Sequence, residues 1–352
     1  IIGRGRSATA VFLAAAASLA IGLGLLALGL WAAGYDPIRA LGALWNGAFG
    51  SWYAITSGTL VRSVPLILIG LGITLAFRAG AFNIGADGQF YAGAIAATWV
   101  GVHLTGLPSF IAIPVLLLAA TIAGALWVAV PVWLRQRYGV WEVISTLLLN
   151  FVAESLVSYM VQGPLQEPQH IYPQSAAIAQ SAQLPFLGGT RLHLGFVLAI
   201  VLGLVLALVL GRTLWGFRLR AVGAGPRAAE ISGRVMTGRM IAVALLWSGA
   251  IAGLAGGVEL SGVSYALYQN LSPGYGFTAI AVALLARLRP LGVIAAGILF
   301  GALEAGASAM QRDAGVPAVT VYVVEAVVIL LVLLADMAAR RIQARHVVPE
   351  PL

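Results

Sequence analysis

The side chains that could perform chemistry in this sequence are few, and they form no recognisable catalytic or metal-binding set. Four histidines, at positions 103, 170, 193 and 346, lie outside any HExxH pattern, and no Asp, Glu and His residues have metal-ligand spacing. The absence of cysteine excludes thiolate nucleophiles and thiolate metal sites. All twenty basic residues are arginine, which excludes a P-loop lysine and a lysine Schiff base. We therefore predict that the chain is not an enzyme and binds neither a metal nor a cofactor.

Four acidic residues lie inside or at the edges of long apolar runs: Glu154, Glu259, Glu304 and Glu325. A charged side chain inside a membrane helix costs about 2.5–3.5 kcal/mol, so such groups normally face a cavity or pair with another polar group. Glu304 and Glu325 have no arginine at neighbouring helical positions. Two roles are consistent with these acids: proton coupling during transport, or a structural hydrogen bond to the backbone.

A polar stripe marks the apolar run 142–162. Thr146, Asn150 and Glu154 are spaced i, i+4, i+8, which puts them on one face of a helix, with Ser145 beside them. A polar stripe on a membrane helix must face protein or water. We interpret it as part of a substrate pathway; the alternative is a contact between two helices.

The composition shows which elements must position these side chains. The 352 residues are 61% hydrophobic and 9% charged, with a mean hydropathy of +0.97, whereas soluble domains carry about 25% charged residues. We therefore predict one all-α, polytopic membrane domain over residues 1–352, with about ten transmembrane helices. The first apolar run is long enough to span, and the start at Ile1 indicates that the natural start lies upstream. The predicted spans are 10–31, 58–77, 88–104, 109–134, 142–162, 192–211, 240–258, 276–288, 291–309 and 317–337.

The arginines predict the orientation. With both termini inside the cell, sixteen of the twenty arginines fall in cytoplasmic segments. The net charge of +8 therefore reflects this bias rather than binding of nucleic acid.

Two segments interrupt the apolar runs, one in each half of the chain, at 78–89 and 261–276. Backbone broken by glycine and proline at membrane depth is tolerated where protein or a water-filled cavity satisfies its polar groups, and paired breaks of this kind indicate a transport pathway. Two tight interhelical turns are the alternative. We assign the substrate pathway to residues from both breaks and from the polar stripe: Phe82, Asn83, Gln89, Ser145, Asn150, Glu154 and Tyr265.

Two polar connections remain. Segment 163–191 contains four prolines and predicts an extended external loop, either a docking surface or a connector. Segment 212–239 is arginine-rich and contains a glycine, a proline and a second glycine that predict a short cytoplasmic helix at 226–232. Such a helix is marginal alone, so we expect it to pack against a partner protein; a loop that serves topology only is the alternative.

Several motifs in order resemble one family of membrane proteins. Residues 77–89, FRAGAFNIGADGQ, resemble the FRAGLFNIGAEGQ motif of the nucleoside and simple-sugar branch of ribose-type ABC importer permeases, in the branched-chain amino acid/ribose permease superfamily. Residues 142–150, EVISTLLLN, are similar to that family's EVISTIMLN helix. Residues 216–230, GFRLRAVGAGPRAAE, resemble its coupling segment, with Gly225 where asparagine is usual. Residues 274–287 and 290–292 resemble its late motif. The resemblance covers about residues 40–335.

The resemblance implies a non-catalytic permease subunit that imports nucleosides, purines, simple sugars or related small polar solutes across the bacterial inner membrane. It implies a separate ATPase subunit that binds ATP and Mg²⁺, a second permease, commonly a different but related chain, and an extracytoplasmic binding protein or lipoprotein. The implied ATPase-coupling residues are Gly225, Pro226, Arg227, Ala228, Ala229 and Glu230. The alternative function is a secondary transporter that is proton-coupled through Glu154 or Glu325. Membrane lipid is the other expected contact.

Overall fold

The computed structural model describes residues 21–231 except Leu23, residues 236–317, and residues 319, 323 and 326. Most of the predicted span at 317–337, Glu325 and most of the first apolar run therefore lie outside the described residues. The part of the chain that the structure describes contains no β-strand, only isolated bridges between loop residues. Its main helices are α1 (Pro37–Phe49), α2 (Val61–Arg78), α3 (Ala86–His103), α4 (Ser109–Tyr138), α5 (Glu142–Gln162), α6 (Leu194–Arg212), α7 (Leu214–Ala224), α8 (Pro226–Ile231), α9 (Thr237–Glu259), α10 (Tyr275–Leu285) and α11 (Pro290–Ala314).

Six helices among the described residues are long and apolar enough to cross a membrane. A π-helical turn, Ala54–Leu60, leads directly into α2, and another, Leu260–Ser264, continues α9. With these extensions, the six are Ala54–Arg78, Ser109–Tyr138, Glu142–Gln162, Leu194–Arg212, Thr237–Ser264 and Pro290–Ala314. They coincide with six predicted spans, so the all-helical membrane fold is confirmed.

The other two predicted spans that lie wholly in described segments take a different form. Helix α3 matches the predicted span 88–104 but begins earlier and carries several polar side chains in its first turns. The predicted span 276–288 is wrong. It forms α10, which has eleven residues and measures about 16 Å, whereas a hydrocarbon core is about 30 Å thick. Helix α10 therefore crosses only about half of a membrane.

The chain divides into two compact units, one comprising residues 1–59 and 302–352 and the other residues 60–301. In the first unit, Asp36 caps α1, because its Oδ1 accepts hydrogen bonds from the backbone N–H groups of Ile38 (2.9 Å) and Arg39 (3.3 Å). Leu30, Ala40 and Met310 belong to the buried apolar cluster of this unit.

The second unit contains α2 to α10, the first part of α11 and every residue assigned to the substrate pathway or to ATPase coupling. Its centre is built on glycine, because α4 and α9 pack backbone to backbone. A Cβ atom added at Gly124 would overlap the carbonyl oxygen of Gly249, and one at Gly253 would overlap that of Ala120. Small residues allow this close approach between membrane helices, where association depends on van der Waals packing. The tight packing fixes the framework that holds the two breaks.

Candidate functional site

The second unit has two ends that differ in charge. We call the end that carries Arg78, Arg135, Arg220 and Arg289 the arginine end, and the end that carries the 163–191 connection the loop end. Helix α5 runs from the arginine end to the loop end, since it begins beside Arg135 and finishes at the start of that connection.

The first break consists of residues 79–85, between α2 and α3. It is shorter than the predicted segment 78–89, because Arg78 still belongs to α2 and the helix resumes at Ala86. Gly80 has a φ of +76°, a left-handed conformation that glycine adopts without strain. The break returns the chain from the arginine end into the bundle, where α3 begins.

Asn83, in the first break, is completely buried and uses all of its hydrogen-bonding groups within the protein. Its Nδ2 donates to Oε1 of Gln89 at 2.8 Å and to Oγ of Ser248 at 2.9 Å. Its Oδ1 accepts from the backbone N–H of Gly85 at 3.1 Å and from Nε2 of Gln89 at 2.9 Å. Two donors and two acceptors are the full capacity of an asparagine amide. In this conformation Asn83 and Gln89 therefore hold the break against α9.

The first half of the polar stripe on α5 also holds the first break. Asn150 Oδ1 accepts from the backbone N–H of Gly88 at 2.8 Å, and its Nδ2 donates to the carbonyl oxygen of Ile84 at 3.0 Å. Thr146 Oγ1 accepts from the N–H of Ile84 at 3.3 Å. Ser145 is buried and donates to the carbonyl oxygen of Glu142 at 3.3 Å. The bonds of Asn150 and Thr146 satisfy backbone groups that the missing helical turn leaves free.

An ion pair closes the same region at the arginine end. Arg135, at the end of α4, pairs with Glu142, at the start of α5. Glu142 Oε1 also accepts from the backbone N–H of Phe82 at 3.3 Å. Phe82 itself is about half exposed, and its ring packs edge-on against Phe77 at 5.1 Å between centroids.

The second break consists of residues 265–274, between the π-helical end of α9 and α10. The predicted segment began at 261, but Ser261–Ser264 remain helical. Tyr265, with a φ of +59°, turns the chain out of the helix, and its hydroxyl donates to the carbonyl oxygen of Gly262 at 3.4 Å. Tyr265 does not line either of the cavities described below.

The two breaks meet where α3 and α10 begin. Ser272 Oγ donates to Asp87 Oδ1 at 2.7 Å, and the backbone N–H of Gly276 donates to the same oxygen at 3.0 Å. The hydroxyl of Tyr91 donates to the carbonyl oxygen of Ser272 at 3.2 Å. Two helix N-termini therefore face each other inside the bundle, and the Asp87 carboxylate lies between them, where its charge complements both helix dipoles. The sequence-based site did not include Asp87, Tyr91 or Ser272.

A polar cavity of about 400 Å³ lies on the loop side of this junction. Its size falls within the range of small-molecule pockets. Glu154, from the last part of the polar stripe, is exposed in it, and Ser158 Oγ accepts from Nε2 of Gln269 at 2.8 Å across it. The residues that line the polar cavity are Tyr91, Glu154, Ser155, Val157, Ser158, Gln269 and Asn270.

The structure thus divides the predicted site residues. Glu154 lies in the polar cavity, whereas Asn83, Gln89, Ser145 and Asn150 are buried and bonded to the protein. The sequence-based site missed Gln269 and Asn270, although both belong to the predicted second break. Their polar side chains within that break were the available signal.

The long connection at the loop end is hydrogen-bonded to the second break. The N–H of Ser175 donates to the carbonyl oxygen of Leu267 at 2.8 Å, and Ser175 Oγ accepts from the N–H of Leu267 at 2.9 Å. The N–H of Ile178 donates to the carbonyl oxygen of Tyr265 at 2.9 Å. We call these three bonds the loop clamp. The connection therefore holds the wall of the polar cavity.

At the arginine end, the predicted short helix is present as α8 over Pro226–Ile231, and Ser232 lies outside the described residues. Gly225 precedes it in an extended conformation, with a φ of −169°. Ala229 is buried in a cluster with Val222 and Ile241, whereas Ile231 is 87% exposed. The remaining coupling residues Pro226, Arg227, Ala228 and Glu230 are exposed. One face of α8 is therefore anchored, and the other is free for contact.

Helix α7, which the sequence did not predict, links α8 to the first break. A Cβ atom added at Gly223 would overlap the carbonyl oxygen of Arg78, so α7 packs directly on the end of α2. A second cavity, of about 490 Å³, lies between the first break and α8, with Gly80, Arg135 and Glu230 among its lining residues.

The described residues contain no group of three His, Asp or Glu side chains that could hold a metal ion.

Comparison with known proteins decides the family. Residues 55–333 match the family described as the permease component of the branched-chain amino acid transport system. The chain belongs to this permease family. Over 92% of its length the permease is 38% identical to the glucose ABC transporter permease protein TsgB13 of Haloferax volcanii, covering 86% of that protein. No solved structure matches it significantly.

Two relatives come from one organism. The permease is 38% identical to the guanosine ABC transporter permease protein NupP of Bacillus subtilis, over 90% of its own length and 91% of that protein. It is 29% identical to the guanosine ABC transporter permease protein NupQ of the same organism, over 70% of its own length and 79% of that protein. These relatives confirm the resemblance to nucleoside and sugar ABC permeases.

Proposed function

We propose that this permease is the membrane subunit of an ABC importer that carries nucleosides, simple sugars or related small polar solutes into a bacterial cell across the inner membrane. The observation that carries the proposal is the polar cavity beside the junction of the two breaks, in a chain of a permease family. Interrupted helices whose N-termini meet inside a bundle are a recurring architecture of transport sites. ATP and Mg²⁺ bind to a separate ATPase subunit.

The lining of the polar cavity suits a hydroxyl-rich solute. Glu154 supplies a carboxylate acceptor, Ser155 and Ser158 supply hydroxyl groups, and Gln269 and Asn270 supply amides that donate and accept. Two relatives are named for glucose and for guanosine, and both of these solutes contain a hydroxylated sugar ring. A ring of this kind presents donors and acceptors together. We infer that the sugar moiety is what this permease binds.

The pathway lies between two permease chains. Glu154 is twelve residues into α5 and is exposed, and a carboxylate at this depth cannot face lipid without a large cost. A second permease that packs across this face of α5 would enclose the polar cavity. NupP and NupQ, two permeases named for one solute in one organism, support a related but different second chain.

The arginine end faces the cytoplasm. Short loops rich in arginine remain inside, and the arginine end carries most of the arginines of the second unit. In this orientation the exposed face of α8 contacts the ATPase. Because α7 packs on the end of α2 at Gly223, a movement of α8 also displaces the first break. The loop clamp then lies on the outside, where a binding protein or lipoprotein delivers the solute.

Uptake into proteoliposomes tests the proposal. The full chain is reconstituted with its second permease, ATPase and binding protein, and uptake of labelled guanosine and glucose is measured with ATP or a non-hydrolysable analogue inside. We expect uptake of at least one solute that requires ATP hydrolysis and is insensitive to a protonophore. Uptake that continues without ATP and collapses with the proton gradient would instead establish a secondary transporter.

A further inference from the structure

Three arginines come together at the arginine end. Arg78 is the last residue of α2, Arg220 lies on α7, and Arg289 lies in the turn between α10 and α11. Arg78 is hydrogen-bonded to Leu288, the residue before Arg289. A Cβ atom added at Gly223, three residues after Arg220, would overlap the carbonyl oxygen of Arg78, so all three arginines lie close together. We call these residues the arginine triad.

The protein holds the triad in place. Arg78 Nε donates to the carbonyl oxygen of Leu288 at 2.7 Å, and Arg78 is only partly exposed. Arg287 and Leu288 have φ values of 51° and 55°, a left-handed conformation that is unfavourable for residues with a side chain. The turn adopts this backbone and thereby places the Leu288 carbonyl against Arg78, with Arg289 as the next residue of the chain.

No carboxylate is paired with the triad among the described residues. Among these described residues, the ion pair at the arginine end joins Arg135 to Glu142, and Glu230 is exposed on α8. Arg78 and Arg220 are partly buried and Arg289 is exposed. Like charges held together repel one another, so an anion that bridges the three arginines stabilises the arrangement. The planar guanidinium group binds phosphate with two parallel hydrogen bonds, which makes phosphate the best matched anion.

The surroundings of the triad identify the source of the phosphate. Helix α2 ends at Arg78, α10 ends at Leu285 and α11 begins at Pro290, so the triad lies where membrane helices reach the headgroup layer. Three large apolar side chains near the triad are exposed. Phe217 lies on α7 with Arg220, and Leu284 and Leu291 lie on either side of the turn that carries Arg289. Phe217 lies three residues before Arg220, on the same face of α7. Cations beside exposed apolar side chains match a phospholipid, whose phosphate and acyl chains would contact both.

We propose that the arginine triad binds the phosphate of an anionic membrane phospholipid. The site is independent of which solute the permease carries, and it requires only that the helices cross a membrane. A carboxylate of the ATPase is the competing occupant, and the experiment separates the two.

The assembled complex is placed in nanodiscs of phosphatidylcholine with a graded fraction of phosphatidylglycerol, and the lipids retained on the protein are counted by native mass spectrometry. We expect phosphatidylglycerol to be enriched over its bulk fraction. The double variant Arg220→Gln, Arg289→Gln should lose about fivefold in relative affinity for each arginine removed. Arg212→Gln, which removes an exposed arginine at the end of another span, should leave the enrichment unchanged. Arg78 is kept because its bond to Leu288 supports the turn.

Three outcomes overturn the proposal. The first is equal phosphatidylglycerol enrichment in the double variant and in wild type. The second is an equal loss in the Arg212→Gln control, which would show a general charge effect. The third is retained enrichment with loss of the ATPase from the complex, which would assign the triad to a carboxylate of that subunit. If the double variant fails to assemble, Arg289→Gln alone, in the exposed turn, must show the fivefold loss, and unchanged enrichment there refutes the site.

Discussion

Replacing Asn150 by alanine tests what the polar stripe of α5 does. Asn150 makes two buried hydrogen bonds with the backbone of the first break and the start of α3, at 2.8 Å to the N–H of Gly88 and at 3.0 Å to the carbonyl oxygen of Ile84. The substitution leaves both backbone groups without this partner. An unsatisfied buried group costs about 1–3 kcal/mol in water-soluble proteins, and side-chain hydrogen bonds in membrane proteins average about 0.6 kcal/mol. Because two backbone groups lose this partner, we expect Asn150→Ala to lower the free energy of unfolding by about 1–6 kcal/mol.

Glu154 supplies the matched control, because it lies one turn further along the same stripe. Its carboxylate is exposed in the polar cavity, so Glu154→Gln removes a charge and preserves the shape of the side chain. We expect this variant to retain wild-type stability and to lose at least tenfold in uptake. Asn150→Ala should show the opposite result, with reduced stability and uptake per folded molecule within about twofold of wild type.

The assay combines thermal unfolding of the detergent-purified complex with ATP-dependent uptake, normalised to folded protein by size-exclusion chromatography. If Asn150→Ala keeps wild-type stability and loses uptake per folded molecule, its hydrogen bonds to the first break are unimportant and the residue contacts the solute. That result would refute the reasoning from the hydrogen bonds and would support the prediction made from the sequence.

Three further predictions concern other parts of the second unit. Ser175→Ala removes the hydroxyl of the loop clamp, so we expect a several-fold higher KM for uptake with an unchanged basal ATPase rate, and an unchanged KM would show that the clamp does not position the cavity wall. Ala228→Asp on the exposed face of α8 should uncouple ATP hydrolysis from uptake with the fold intact, whereas Ala229→Asp should unfold the segment because Ala229 is buried; equal thermal stability of the two variants would contradict this. Burial lowers the pKa of His193 from 6.5 to about 4, so the unfolded state binds a proton more readily than the folded state between these values. Stability should fall as the pH falls through this window, by about 2 kcal/mol between pH 7 and pH 5, and thermal unfolding of His193→Gln should show a smaller dependence.

Local sequence signals predicted the elements whose causes are local. The bounds of α5 follow from an apolar run that begins after Trp141 and stops at Gly163, and the structure gives the predicted 142–162. Helix α8 follows from the Gly225-Pro226 pair, since proline is well suited to the first position of a helix. Both breaks were predicted because glycine and polar residues interrupt otherwise apolar sequence.

The rest of the site depends on contacts that no local pattern encodes. Asp87 and Ser272 are 185 positions apart and meet because α3 and α10 begin at the same depth. Asn83 was assigned to the pathway on its residue type, but its role is set by Ser248, which is 165 positions away. Helix α10 was predicted as a full span because its sequence is apolar. Hydropathy does not show that this helix begins about halfway across the membrane. Helix α7 has too mixed a pattern of arginine and apolar residues to predict.

The most direct test of the polar cavity as the solute pathway uses the absence of cysteine from the chain. Ser155→Cys places a single thiol in the polar cavity, and Ser181→Cys places one in the connection at the loop end as a control. The rate of modification by a small charged methanethiosulfonate reagent is measured in the full complex, with and without the transported solute and ATP. We predict that the solute slows modification at position 155 at least fivefold and leaves position 181 unchanged. Equal modification rates at position 155 with and without the solute, in a complex that transports, would contradict the account.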